Sequence, residues 1–134
     1  MAVSKLNSKL TQISKVKYAK GLFEAHKTNT PLDGLFSIDG GVPKATNWMV
    51  VGDPGVVKST VTLDIIANAK KSGSKVLFIS AEMNQVDLYL YVQRYPKFGE
   101  LDIFFPQDIQ DDEDPRKVLT DILNEGYDIV LIDS

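Results

Sequence analysis

The chain has 134 residues, 43 % of them hydrophobic and 25 % charged, which suits one domain with a sizeable core. It has no cysteine and a single histidine, His26, so disulfide frameworks, cysteine nucleophiles and histidine-based metal sites or triads find no support, and no apolar run is long enough for a bilayer span or a secretory leader. The net charge of −3 is unevenly spread: residues 1–30 carry six lysines and one acid, +5, while the remainder carries nine basic against seventeen acidic side chains, −8.

Residues 5–26 place Leu6, Leu10, Ile13, Val16 and Leu22/Phe23 at helical spacing among lysines, which predicts a basic amphipathic helix. Its charge reads most simply as a solvated face; contact with an acidic partner or a phosphate backbone is the other reading. Gly, Pro, Asn and Asp then crowd residues 27–47, a loop that separates an N-terminal arm (residues 1–30) from a body (residues 31–134). Within the body, residues 47–51 read as a buried strand, 59–71 as a largely buried helix stopped at KKSG, and 76–80 (VLFIS) as a second buried strand. Asn84 with Asp87 predicts a helix start by a variant capping box, and Pro96 its end. Residues 101–105 form a candidate third strand. Asp114 as N-cap, Pro115 at the first helical position, Val118, Leu119, Ile122 and Leu123 facing inward and Gly126 at the end mark another helix. The apolar run 128–132 predicts the last strand. Alternating helices and strands apolar on both faces predict an α/β three-layer sandwich with a mostly parallel sheet.

Residues 50–60, VVGDPGVVKST, stand between a predicted strand and a predicted helix, the context of a phosphate-binding loop. The pattern G-x-x-x-x-G-K-[ST] finds Gly52, Lys58 and Ser59 in place but Val57 where it wants glycine. Gly52, Asp53, Pro54, Gly55, Val56, Val57, Lys58, Ser59 and Thr60 are thus candidate nucleotide-binding residues. Successive backbone N–H groups and the helix N-terminus would cradle phosphate. Lys58 would reach the β- and γ-phosphates, and the Ser59 hydroxyl would ligate Mg²⁺. Asp133, ending the last strand, supplies a carboxylate for the metal shell, and Glu82, just past the second strand, a base or water-orienting group. The plainer readings are an ordinary turn at Gly52 and Gly55, a solvated strand-end acid at Glu82, and a cap at Asp133.

Three stretches, GGVPKATNWMVVGDPGVVKST, KVLFISAEM and YDIVLIDS, together resemble the RecA-like P-loop ATPases, particularly the RadA and DnaB-type helicase branches. The resemblance covers residues 31–134. It implies ATP and Mg²⁺ as cofactors, Glu82 as catalytic base with Lys58 beside it, Ser59 and Asp133 at the metal, and hydrolysis coupled to DNA replication or recombination in the cytoplasm. It also implies self-association, as hexamer or filament, with an N-terminal segment docking on the neighbouring subunit and DNA contacted through regions absent from this chain; no membrane is involved.

Two departures from the family pattern matter. Val57 adds a stiff β-branched side chain where glycine lets the backbone pass close to phosphate. Weak or absent nucleotide binding is expected, since a displacement near 1 Å can lower a rate by about a hundredfold. The family core also continues beyond the Asp133-Ser134 strand, with a further strand between the two flanking ones. The chain thus reads as an N-terminal half, expected to compensate by self-association, strand exchange or direct pairing of those strands. The alternative function is an inactive P-loop scaffold acting as an assembly or binding module. No N-K-x-D motif supports a GTPase, and a small-molecule kinase fits Glu82 less well. Tyr89, Tyr91, Tyr95 and Trp48 read most simply as packing residues, and Asp111–Glu113 as a solvated loop.

Overall fold

The computed structural model describes residues 8–19, 21, 24–37, 39–53 and 57–133. The helix expected over residues 5–26 does not form across the described part of that segment. A 3₁₀ turn at Ile13–Lys15 is its helical piece, and Leu10, Ile13, Val16 and Tyr18 are exposed. An apolar stripe holds a helix only when a surface buries it, because an isolated helix of this length is marginal in water.

Strand β1 (Ala25–His26) pairs antiparallel with β2 (Val42–Pro43), and a one-turn helix, α1 (Asp33–Phe36), lies between them. Gly41 has φ +109°, and a Cβ there would lie 2.6 Å from the His26 carbonyl oxygen, so only glycine fits. The connecting loop is clasped by the Asp33 carboxylate. It accepts from the Thr28 hydroxyl at 2.6 Å, the Thr28 N–H at 3.0 Å and the Asn29 N–H at 3.0 Å. Asn29 also donates to the Ser72 hydroxyl at 2.8 Å, tying the loop to the body.

Helix α2 (Lys58–Lys71) buries Leu63, Ile66, Ala67 and Ala69 on one face, a narrower burial than the sequence suggested. It closes in a Schellman turn: the Gly73 N–H reaches the Lys70 carbonyl and the Ser74 N–H reaches that of Ala69, with Gly73 at φ +101°. Strand β3 (Val76–Ser80) follows and is buried at all five residues. Helix α3 (Gln85–Arg94) starts with the expected capping box. The Asp87 N–H donates to the Asn84 side chain at 2.9 Å, and the Asn84 N–H donates to the Asp87 carboxylate at 3.2 Å. The helix stops before Pro96, and Tyr91 and Tyr95 pack on Phe98 as expected, while Tyr89 is exposed.

The third strand is only β4 (Ile103–Phe104). Helix α4 (Pro115–Leu123) has its Asp114 cap, which accepts from the Arg116 N–H at 3.1 Å; Leu123, expected inward, is exposed. Strand β5 (Ile129–Asp133) completes a three-stranded parallel sheet of order β4-β3-β5. Its register runs Val76↔Ile129 through Ser80↔Asp133. Lys75 and Asp128 lock the entry to that pair: the Lys75 N–H donates to the Asp128 carboxylate at 2.8 Å and the Asp128 N–H to the Lys75 carbonyl at 2.7 Å. The core joins Leu63, Ile66, Ala67 and Ala69 of α2 to Val76 and Phe78 of β3, Met83 and Phe98.

Residues 47–51 do not form the buried strand that their apolar run suggests. They pair with no strand among the described residues, with Met49 87 % exposed and Trp48 and Val50 half-exposed. An apolar run becomes a buried strand only where neighbouring strands and covering helices exist on its edges and faces. Here the sheet ends at β5, whose outer edge pairs with no strand among the described residues. Direct pairing of the two flanking strands, one of the expected compensations, does not occur.

Two outcomes follow from this packing. Phe78→Ala, in the middle of the buried strand, lowers the unfolding free energy by about 3–5 kcal/mol in urea titration. The Asp33 carboxyl is held below the ordinary carboxylate range: burial pulls it upward, but hydrogen bonds from Thr28 and Asn29, with Lys27 nearby, outweigh that. A lowered folded-state pKa means that the clasp's stabilisation is present in full above the ordinary carboxyl pKa and is lost as pH falls through the lowered value. Asp33→Asn flattens the acid limb of a thermal-stability profile read by Trp48 fluorescence; an unchanged acid limb would contradict the clasp.

Candidate functional site

A groove of about 720 Å³ runs along the open side of β5, and Lys58, Ser59, Glu82 and Asp133 all line it. Four residues from three separate stretches thus reach one space. Lys58 and Ser59 arrive on the first turn of α2, whose 14 residues aim their free N–H groups and dipole at the groove end. Asp133 is the last residue of β5. Glu82 follows β3 by two residues and is exposed. The Ala81 N–H donates to the Asp133 carbonyl at 3.1 Å, which carries the β3–β5 ladder one step past the strand ends. The two acidic residues are therefore held in register by backbone bonds.

Lys58 donates from Nζ to the Gly52 carbonyl at 2.5 Å, bridging the two ends of the glycine-containing turn. Gly52 and Asp53 are exposed, and Thr60 is half-buried in the first turn of α2. Pro54, Gly55 and Val56 lie outside the described residues. Val57 stands at the N-cap of α2 with φ −80°, makes no side-chain cap and is 66 % exposed. A negative φ is open to a β-branched residue, so the backbone here demands no glycine.

The donor set matches a phosphorylated ligand with a hard cation. An ammonium and a helix N-terminus suit phosphate, and a hydroxyl with a carboxylate suits Mg²⁺. Among the described residues no group of three or more His, Asp or Glu side chains converges as a metal cage. Two features escaped the sequence reading. Thr62, one turn into α2, also lines the groove and folds its hydroxyl back on the Lys58 carbonyl at 2.9 Å. The Ser80 hydroxyl accepts the Met83 N–H at 3.1 Å; its role rests on burial, which no local pattern marks.

Known proteins resemble parts of the chain. The chain is 40 % identical over 55 residues to the DNA repair and recombination protein RadB of Methanobrevibacter smithii, covering 41 % of this chain and 23 % of RadB. It is 28 % identical over 97 residues to the DNA repair protein RadA of Campylobacter jejuni, 72 % of this chain and 21 % of RadA. It is 33 % identical over 88 residues to the protein RecA of Streptomyces coelicolor, 58 % of this chain and 23 % of RecA. These similarities support the RecA-like ATPase superfamily, and the mixed α/β architecture with a parallel sheet fits it. No family model matches the chain, and no solved structure does. The chain spans less than a quarter of the length of these curated relatives. No helix among the described residues is long and apolar enough to cross a membrane.

The cap beside Glu82 gives a check on the site's scaffold. Asn84→Ala removes one half of the capping box and lowers stability by about 1 kcal/mol in denaturant titration. The loss should appear in helical circular dichroism; no loss would mean that α3 is held by packing alone.

Proposed function

We propose that the chain is a RecA-like ATPase domain built to bind Mg²⁺-ATP and to couple its hydrolysis to DNA recombination or replication, with binding by this chain impaired by Val57. The observation that carries this reading is the convergence of Lys58, Ser59, Glu82 and Asp133 on one groove at the N-terminus of α2. Lys58 exchanges the Gly52 carbonyl for phosphate oxygens, a stronger charge-assisted partner. Ser59 and Asp133 would hold Mg²⁺, which when bound neutralises charge across the phosphate oxygens. Glu82 orients a water and accepts its proton at the carboxylate. Residues 50–60 form the phosphate loop, residues 1–30 an arm and residues 31–134 the ATPase body within a three-layer sandwich. The arm's exposed apolar residues and its +5 charge against a −8 body support contact between copies, as hexamer or filament. The acidic body is a poor match for a phosphate backbone, so DNA contact is assigned to regions outside this chain.

Val57 favours a second reading, a P-loop scaffold that no longer hydrolyses ATP and serves in assembly. Its side chain sits at the loop–helix junction where the family pattern has glycine. Calorimetry with Mg²⁺-ATP on this chain, Val57→Gly and Lys58→Ala separates the readings. The expected result is weak or no binding by the parent chain, binding by Val57→Gly, and none once Lys58→Ala is added. Equal binding by the parent and Val57→Gly would remove the steric role of Val57. Binding that survives Lys58→Ala would refute the phosphate-loop reading.

A further inference from the structure

A serine at the end of an apolar strand is unremarkable when its hydroxyl meets water. Ser80 does not: it is 0 % exposed, and it ends the fully buried β3 opposite Asp133. Removing a hydroxyl from water without a partner is unfavourable. Ser80 has a partner, accepting the Met83 N–H at 3.1 Å, and among the described residues no buried side-chain polar atom lacks one.

That bond closes a three-residue step from 80 to 83, with Ala81 and Glu82 inside it. The same step is fixed from the other side by the Ala81 N–H on the Asp133 carbonyl. Beyond it, Met83 is buried in the core and Asn84 caps α3. Glu82 is thus an exposed residue in a backbone pinned at 80, 81, 83 and 84. Among the described residues its carboxylate makes no hydrogen bond or ion pair, so no side chain orients it. Its place over the groove comes from the turn, and Ser80 supplies the side-chain bond that holds the turn.

We infer that Ser80 is a positioning residue for Glu82, acting through the Met83 N–H to aim the carboxylate into the groove. This rests on the ATPase reading above. A general base gains its effect only within hydrogen-bond reach of the proton it takes, and a 1 Å displacement lowers a rate by about a hundredfold.

The test measures ATP turnover and Mg²⁺-ATP affinity in the full chain, with and without Val57→Gly, for Ser80→Ala, Ser80→Thr, Glu82→Gln and the Ser80→Ala/Glu82→Gln double variant. Amide hydrogen exchange at Met83 is followed alongside. Ser80→Ala lowers kcat by about a hundredfold with affinity kept within about twofold. Met83 exchange speeds up in Ser80→Ala, and Ser80→Thr, which keeps the acceptor, restores both turnover and protection. The double variant is no slower than Glu82→Gln alone. Wild-type turnover in Ser80→Ala, or unchanged Met83 exchange, overturns the positioning role and leaves the ATPase reading standing. So does a double variant slower than Glu82→Gln by the full Ser80→Ala factor. No turnover in any background overturns the ATPase reading and this role with it.

Discussion

Parallel pairing of β3 with β5 is the constraint on which the rest of the structure depends. Five residues of one strand face five of the other in a single register, from Val76↔Ile129 to Ser80↔Asp133. A slip of one residue would turn Asp133 to the opposite face. The register is anchored at its entry by the reciprocal Lys75–Asp128 bonds and at its exit by the Ala81 N–H on Asp133. Glu82 and Asp133 stand together at the groove because bonds at both ends of the ladder hold the strands in this alignment.

The open edge of β5 shapes the groove as much as the strand does. Residues 47–51 run past it without pairing, and the space between is lined by apolar side chains such as Trp48, Val50 and Ile65. Trp48 is not loose there. It packs edge-on against Phe36 with ring centroids 5.3 Å apart, and its indole N–H donates to the Thr46 hydroxyl at 3.0 Å. The hairpin β1–β2 and α1 thus supply one wall and the sheet the other, and the Asp33 clasp holds the first wall in shape.

Much of this was legible in the residues, and the misses share one cause. The Asn84–Asp87 box, the Asp114–Pro115 start and the Gly73 stop are local signals whose partners lie within a few residues, and each appears as read. VLFIS was recognisable because a run apolar on both faces needs a central position, which β3 occupies. Residues 5–26 and 47–51 carry equally good periodic or apolar patterns, yet neither forms its element across the described residues. Pattern states what a segment needs, a surface for its apolar face or a strand at its edge, and the described residues supply neither. Lys58, Ser59, Glu82 and Asp133 could be singled out one residue at a time, because each sits at an element boundary, and all four line one groove. Ser80 could not, since its importance depends on complete burial, which no single-residue signal carries.

Lys58 shows how the two ends of the glycine-containing turn are energetically coupled. Its ammonium rests on the Gly52 carbonyl, so the charge of α2's first residue is partly satisfied by the strand side of the turn. A phosphate entering the groove competes with one neutral carbonyl, and a charge-assisted bond to an anion is roughly twice as strong as a neutral one. On the proposed reading the exchange would favour the anion and free the Gly52 carbonyl. Val57, at the helix side, has a backbone that is relaxed at φ −80° and a side chain with no capping atom. Its effect on a ligand is therefore one of volume at the loop–helix junction and not of backbone strain, and removing volume there leaves the Lys58 exchange intact.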